Sequence, residues 1–181
     1  MPRLFTGLQV PDPAANMLMA ARPPGLRGAR LVSRGQLHIT LHFVGGVTSE
    51  QARKLESALA GITSPPFFLE IAGVGAFPSS ERPKILWAGV SASDPLKSLR
   101  DGIGRVMDGL GLAVERREYR PHITLARLGG ASPHGGWGQQ FFAKSEEVNC
   151  RYMVHEFILY SVEKGAGEAK YQPRRSYPLS G

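Results

Sequence analysis

The chain holds one cysteine, Cys150, so it can form no internal disulfide, and a reducing compartment is expected. A structural or half-buried thiol is the expected reading for Cys150. No run approaches 18 consecutive apolar residues, so no segment is a candidate membrane span. The opening MPRLFTGLQVPDP has no apolar stretch long enough for a signal peptide, and a cytoplasmic location is expected. Acidic residues are few: 15 Asp and Glu against 22 Lys and Arg leave a formal charge of +7. Such a balance favours anionic partners, among them nucleic acid, nucleotides and phosphorylated metabolites. No G-x-S-x-G is present, which argues against the nucleophile elbow of a serine hydrolase. No fixed period of 20–50 residues marks a solenoid.

With 42% hydrophobic and 20% charged residues, the composition is globular rather than disordered. Its 181 residues suit one domain, or two small lobes around one core, and residues 1–181 are expected to form a single unit. RLFTGLQV (3–10) reads as a strand. DPAANMLMAAR then reads as a helix, with Asp12 as N-cap and Pro13 at its first position. TSEQARKLESALAGI has Ala52, Leu55, Leu59 and Ile62 at helical spacing, and Thr48 or Ser49 can cap it. FFLEIAGVGAF and ILWAGV read as strands, and Trp87 is expected in the core. DPLKSLRDGIGRVMDGL is helical despite its internal glycines, VHEFILYSVEK is a further strand, and RRSYPL is a short last one. The glycine-rich GGASPHGGWG is expected as a loop. The order of elements implies a mixed α+β protein.

Two strands stand out. LHITLHFV (37–44) and YRPHITLARL (119–128) share His-Ile-Thr-Leu, in a chain with only five histidines. Alternate side chains of a strand share a face. His38, Thr40 and His42 therefore look one way, and Ile39, Leu41 and Phe43 the other. His122 and Thr124 repeat the arrangement. Imidazole exchanges a proton near neutral pH. Two imidazoles flanking a phosphodiester can divide the work, one taking a proton from the attacking group and one giving a proton to the departing oxygen. The paired threonine hydroxyls can donate to non-bridging phosphate oxygens. A metal site would need more ligands, and His42, His134 and His155 offer no tight cluster.

With these flanks, the duplicated motif resembles the two His-x-Thr-x motifs of the 2H phosphoesterase superfamily. It is most similar to the RNA 2′,3′-cyclic phosphodiesterases, also named 2′–5′ RNA ligases. The quoted segments RLFTGLQVP, LHITLHFVG, ILWAGV, YRPHITLAR and YQPRRSYPL extend the likeness along nearly the whole chain. The resemblance implies an α+β, bilobal fold: two pseudo-two-fold-related lobes, each an antiparallel sheet with outer helices, around a central cleft. It implies opening of a 2′,3′-cyclic phosphate at an RNA end to a 2′-phosphate, and reversible 2′–5′ joining of tRNA halves. No metal, ATP or other cofactor is implied, and a monomer is expected.

Carried over by position, His38 and His122 are the catalytic pair, and Thr40 and Thr124 hold the phosphate. His122 is expected to activate water and His38 to protonate the leaving 3′ oxygen. Arg127 matches a family arginine that supports the phosphate or the strand end. In a regular strand it would face away from His122, so a bulge must turn it. Arg120 is a candidate phosphate contact, with Arg116 and Arg117 as further basic neighbours. Tyr119 and Trp137 are candidates for stacking on a base. A non-catalytic nucleotide- or RNA-binding module is the competing reading.

Overall fold

The computed structural model describes all residues except 24–25, 27–28, 130–136 and 164–168. The Gly-rich loop expected around 129–138 falls largely outside the described residues. Nine strands form one antiparallel sheet among the described residues: β1 (Arg3–Gln9), β2 (Ala29–Leu31), β3 (His38–Gly46), β4 (Phe67–Phe77), β5 (Ile85–Val90), β6 (His122–Leu128), β7 (Asn149–Val154), β8 (Glu156–Glu163) and β9 (Lys170–Pro178). The order is β7-β4-β5-β6-β3-β1-β8-β9, with β2 also on β6. Four helices complete the described fold: α1 (Asp12–Ala21), α2 (Ser49–Leu59), α3 (Asp94–Gly109) and α4 (Trp137–Ala143).

The sheet divides into two matching halves. β3, β1, β8 and β9 make one, and β6, β5, β4 and β7 the other. In each, a helix joins two antiparallel neighbours: α1 lies between β1 and β3, and α3 between β5 and β6. The halves meet where Ile39 pairs with Ile123. This is the bilobal α+β arrangement that the family resemblance implied.

Amphipathic spacing explains how the helices attach. Leu96, Leu99, Ile103 and Met107 of α3, Leu55 and Leu59 of α2, Leu18 of α1 and Phe141 of α4 enter one hydrophobic cluster. Ile39, Leu41, Leu69, Ile71, Leu86 and Ile123 meet them from the strands. A second, small cluster of Phe5, Ile158 and Tyr160 lies apart from it. None of the described helices is long and apolar enough to cross a membrane.

Local chemistry sets the helix starts. Thr48 caps α2 and accepts from Gln51 N, while the Gln51 side chain accepts from Thr48 N, a reciprocal capping box. For α1 the expected cap is corrected. Pro11 occupies the N-cap and makes no side-chain hydrogen bond, and Asp12 lies inside the helix, paired with Arg34 at 3.0 Å. The glycines of α3 do not shorten it. At Gly104 a Cβ would stand 3.2 Å from His42 Nε2, so the glycine makes room for a histidine on the sheet.

Thr48→Ala removes one half of the capping box. It is expected to cost about 1 kcal/mol, lowering the melting temperature by roughly 2–4 °C in a chain of this size. Calorimetry on the two proteins checks it.

Candidate active site

Both motif strands carry the same irregularity. Thr6 pairs with His42 and the next residue, Gly7, with Thr40, so β3 holds one extra residue at Leu41. Leu86 pairs with Ala126 and Trp87 with Thr124, so β6 holds its extra residue at Leu125. A bulge shifts the alternation of faces by one. Beyond it, the face shared by His38 and Thr40 continues with Phe43, and the face shared by His122 and Thr124 continues with Arg127. The burial pattern agrees: Leu41, His42, Leu125 and Ala126 are buried, whereas Phe43 and Arg127 are exposed.

Arg127 thus joins the face that strict alternation denied it. His42 goes the opposite way, and its expected place beside His38 is corrected. It is 2% exposed, and its Nε2 lies 2.8 Å from Arg100 O on α3. A carbonyl only accepts, so His42 Nε2 carries the proton.

Antiparallel register about the Ile39–Ile123 pair puts His38 across from Thr124 and Thr40 across from His122. All four line one cavity of about 440 Å³, together with Arg127, Arg3, Phe5, Phe43 and Tyr171. Among the described residues no carboxylate lines it. Each imidazole is held alike. His38 Nδ1 lies 2.8 Å from Gln36 O, and His122 Nδ1 lies 2.8 Å from Arg120 O. Because both acceptors are carbonyls, Nδ1 is the protonated nitrogen in each neutral ring. Nε2 is left as the nitrogen that can take or give a proton.

Aromatic rings fix the imidazole planes. Phe5 packs at 4.9 Å from His38, with Tyr171 edge-on at 4.9 Å, and Phe77 is edge-on to His122 at 5.0 Å. Burial lowers the pKa of His38 below 6.5. The hydrogen bond to Gln36 O opposes that shift, and the charges of Arg127 and His122 add to it.

Other candidates fall elsewhere. Arg120 lines an adjoining cavity of about 220 Å³, and its guanidinium is held by Glu118 at 3.1 Å. Arg117 pairs with Glu115 at 3.6 Å, and Arg116 borders a separate groove beside α3. One face of the Tyr119 ring is taken by Arg100, which sits 4.5 Å over it. Its hydroxyl donates to Thr40 O at 3.0 Å, which ties the segment entering the second motif to the first. Trp137 is buried at the start of α4, away from the cavity. Trp87 lies across from Thr124, half-buried on the cleft face, over Gly75 and against Phe77 at 5.2 Å, rather than in the helix-side core. Among the described residues no three His, Cys, Asp or Glu side chains are grouped to hold a metal ion.

The family model described as LigT like Phosphoesterase matches residues 9–87 and 89–135, which include both motifs. The chain belongs to the LigT-like phosphoesterase family. It is 33% identical to the RNA 2′,3′-cyclic phosphodiesterase of Bacillus subtilis over 183 residues, covering 99% of this chain and 97% of that one. A relative of the same name from Aeropyrum pernix is 38% identical over 103 residues, a stretch that spans only 58% of that protein and 56% of this chain. Crystalline LigT of E. coli complexed with 3′-AMP superposes with a TM-score of 0.79 at 25% identity, covering 100% of both chains.

Sequence reasoning missed the aromatic walls Phe5, Phe77 and Tyr171 in this phosphoesterase, as well as Arg3. It also missed the carbonyl anchors two residues before each histidine. Nothing in a residue type announces a backbone acceptor, but the matched spacing Gln36-x-His38 and Arg120-x-His122 was a usable signal.

Two outcomes are expected. Tyr119→Phe leaves Thr40 O without its side-chain donor, at a cost of about 1–3 kcal/mol in urea unfolding. His38 and His42 both have lowered pKa values; for His42 burial is the main cause, countered by its bond to Arg100 O. Below about pH 6.5 the unfolded chain therefore takes up protons that the folded chain resists. Stability is full above that pH and falls as the pH drops towards the folded-state values. Urea midpoints at pH 7.5 and 5.5 measure the loss, and His42→Gln is expected to flatten it.

Proposed function

We propose that this chain, acting as one unit over residues 1–181, opens 2′,3′-cyclic phosphate ends of RNA to 2′-phosphates. The observation that carries the reading is the convergence of two His-Thr units and Arg127 on one cavity. The names of the relatives support the same class of substrate. Thr40, Thr124 and Arg127 hold the non-bridging oxygens of the cyclic diester, a single anion.

Chemistry then needs two proton transfers at the two Nε2 atoms. His122 takes a proton from water as its oxygen bonds to phosphorus. The bond from phosphorus to the 3′ oxygen breaks, and His38 gives that oxygen its proton. The phosphate remains on the 2′ oxygen. Burial and, to a smaller extent, the Arg127 charge lower the proton affinity of His38. A bound phosphate anion cancels the Arg127 charge, so protonation of His38 is coupled to substrate arrival. A low-pKa imidazolium is also a ready donor to an alkoxide. Arg120 serves through its carbonyl, which orients His122, while its guanidinium is engaged by Glu118.

A ribose 5′-hydroxyl in place of water would make the same site join 2′–5′ bonds, and tRNA halves would be substrates for that direction. No feature of the cavity favours it over hydrolysis.

The test is a defined oligoribonucleotide with a cyclic phosphate end, incubated with EDTA, its product end identified by mass and phosphatase sensitivity. Complete conversion to a 2′-phosphate is expected. His38→Ala and His122→Ala are each expected to lose about 10²–10⁴-fold in kcat. A 3′-phosphate product, or activity abolished by the chelator, would contradict this mechanism. Binding without turnover would favour the non-catalytic reading.

A further inference from the structure

Strand β2 brings a second guanidinium to the mouth of the cavity. Arg30 is directly opposite Arg127 in the β2–β6 register. Residues directly opposite in an antiparallel pair share a face, with Cβ atoms about 4.5–5.5 Å apart. Both arginines are exposed, and among the described residues neither has a salt-bridge partner. Like charges placed so destabilise a sheet. Alternation along β2 leaves Arg30 as its only residue on this face, with Ala29 and Leu31 on the other.

Arg127 lines the cavity and Arg30 does not, so Arg30 stands one strand spacing further out, about 4.8 Å. A repelling pair at the edge of the pocket is relieved when anions arrive on both members. A lone cyclic phosphate supplies one anion, whereas an RNA chain supplies a second on its backbone.

We propose that Arg30 binds the backbone phosphate one nucleotide before the cyclic end, beside the phosphate held by Arg127, so that the site prefers an oligonucleotide to a mononucleotide. The proposal rests on the function given above and names the residue that reads chain length. Arg30 contacts no reacting atom. Its effect is felt as binding of the strand that carries the cyclic end, and appears in KM more than in kcat.

The experiment compares a nucleoside 2′,3′-cyclic phosphate with a dinucleotide ending in the same cyclic phosphate, for wild type, Arg30→Ala and Arg30→Lys. Arg30→Ala is expected to lower kcat/KM roughly tenfold more on the dinucleotide than on the mononucleotide, chiefly through KM. Arg30→Lys recovers part of the difference. The slope of log KM against log salt on the dinucleotide becomes shallower by about 1 in Arg30→Ala. Since the substitution removes a repulsion, the ligand-free melting temperature holds or rises. Equal losses on both substrates, no loss on either, or a lower melting temperature without selective loss overturns the clamp. Wild type inert on both substrates overturns the activity itself. Wild type active on both, with an Arg30→Ala profile indifferent to length, overturns the clamp alone.

Discussion

One backbone pairing, Ile39 with Ile123, joins the halves of the sheet at their motif strands. Its position is chemically decisive, because the residues on either side of it are His38 and Thr40 on one strand and His122 and Thr124 on the other. Antiparallel geometry then puts each histidine across from the threonine of the other half. Slipping either strand by one residue would turn its own imidazole into the hydrophobic cluster, because alternate residues on a strand face opposite sides. Buried isoleucines at the join set that register: each is fully enclosed, and neither tolerates exposure on the cleft side.

The matched bulges at Leu41 and Leu125 act within that frame. Each sends two successive residues into the core and returns the next to the cleft. The residues beyond the bulge differ between the halves. In β3 the inward residue is His42, accommodated by Gly104 and by the carbonyl of Arg100, and the outward one is Phe43. In β6 the inward residue is Ala126 and the outward one Arg127. One irregularity, used twice, therefore gives the cavity an aromatic wall on one side and a cation on the other. The two-fold symmetry of the strands therefore does not extend to the lining of the cavity.

Electrostatics and tautomers depend on the same backbone. The carbonyls of Gln36 and Arg120 fix the proton on Nδ1 of each neutral ring, and only Nε2 remains for chemistry. Surrounding rings restrict tilt, and burial lowers the proton affinity of His38. Tyr119 adds a tie across the join, linking the approach to His122 with the carbonyl of Thr40. These contacts come from residues scattered through the chain. Their types alone suggested other uses, such as base stacking for Tyr119.

By itself the sequence determined the elements with strong periodicity, the pairing of two His-Thr units and the anion-seeking charge, because these depend on spacing and residue type along a few neighbours. It left β2, β7 and α4 unseen, for they are short and lack a clean alternation. Only the tertiary structure decided that Arg127 faces the His-Thr cavity and His42 the core. A bulge is one residue of register between two distant strands, and no local pattern records it. Likewise, the meeting of Arg30 with Arg127 exists only once the chain between them has folded back to pair β2 with β6.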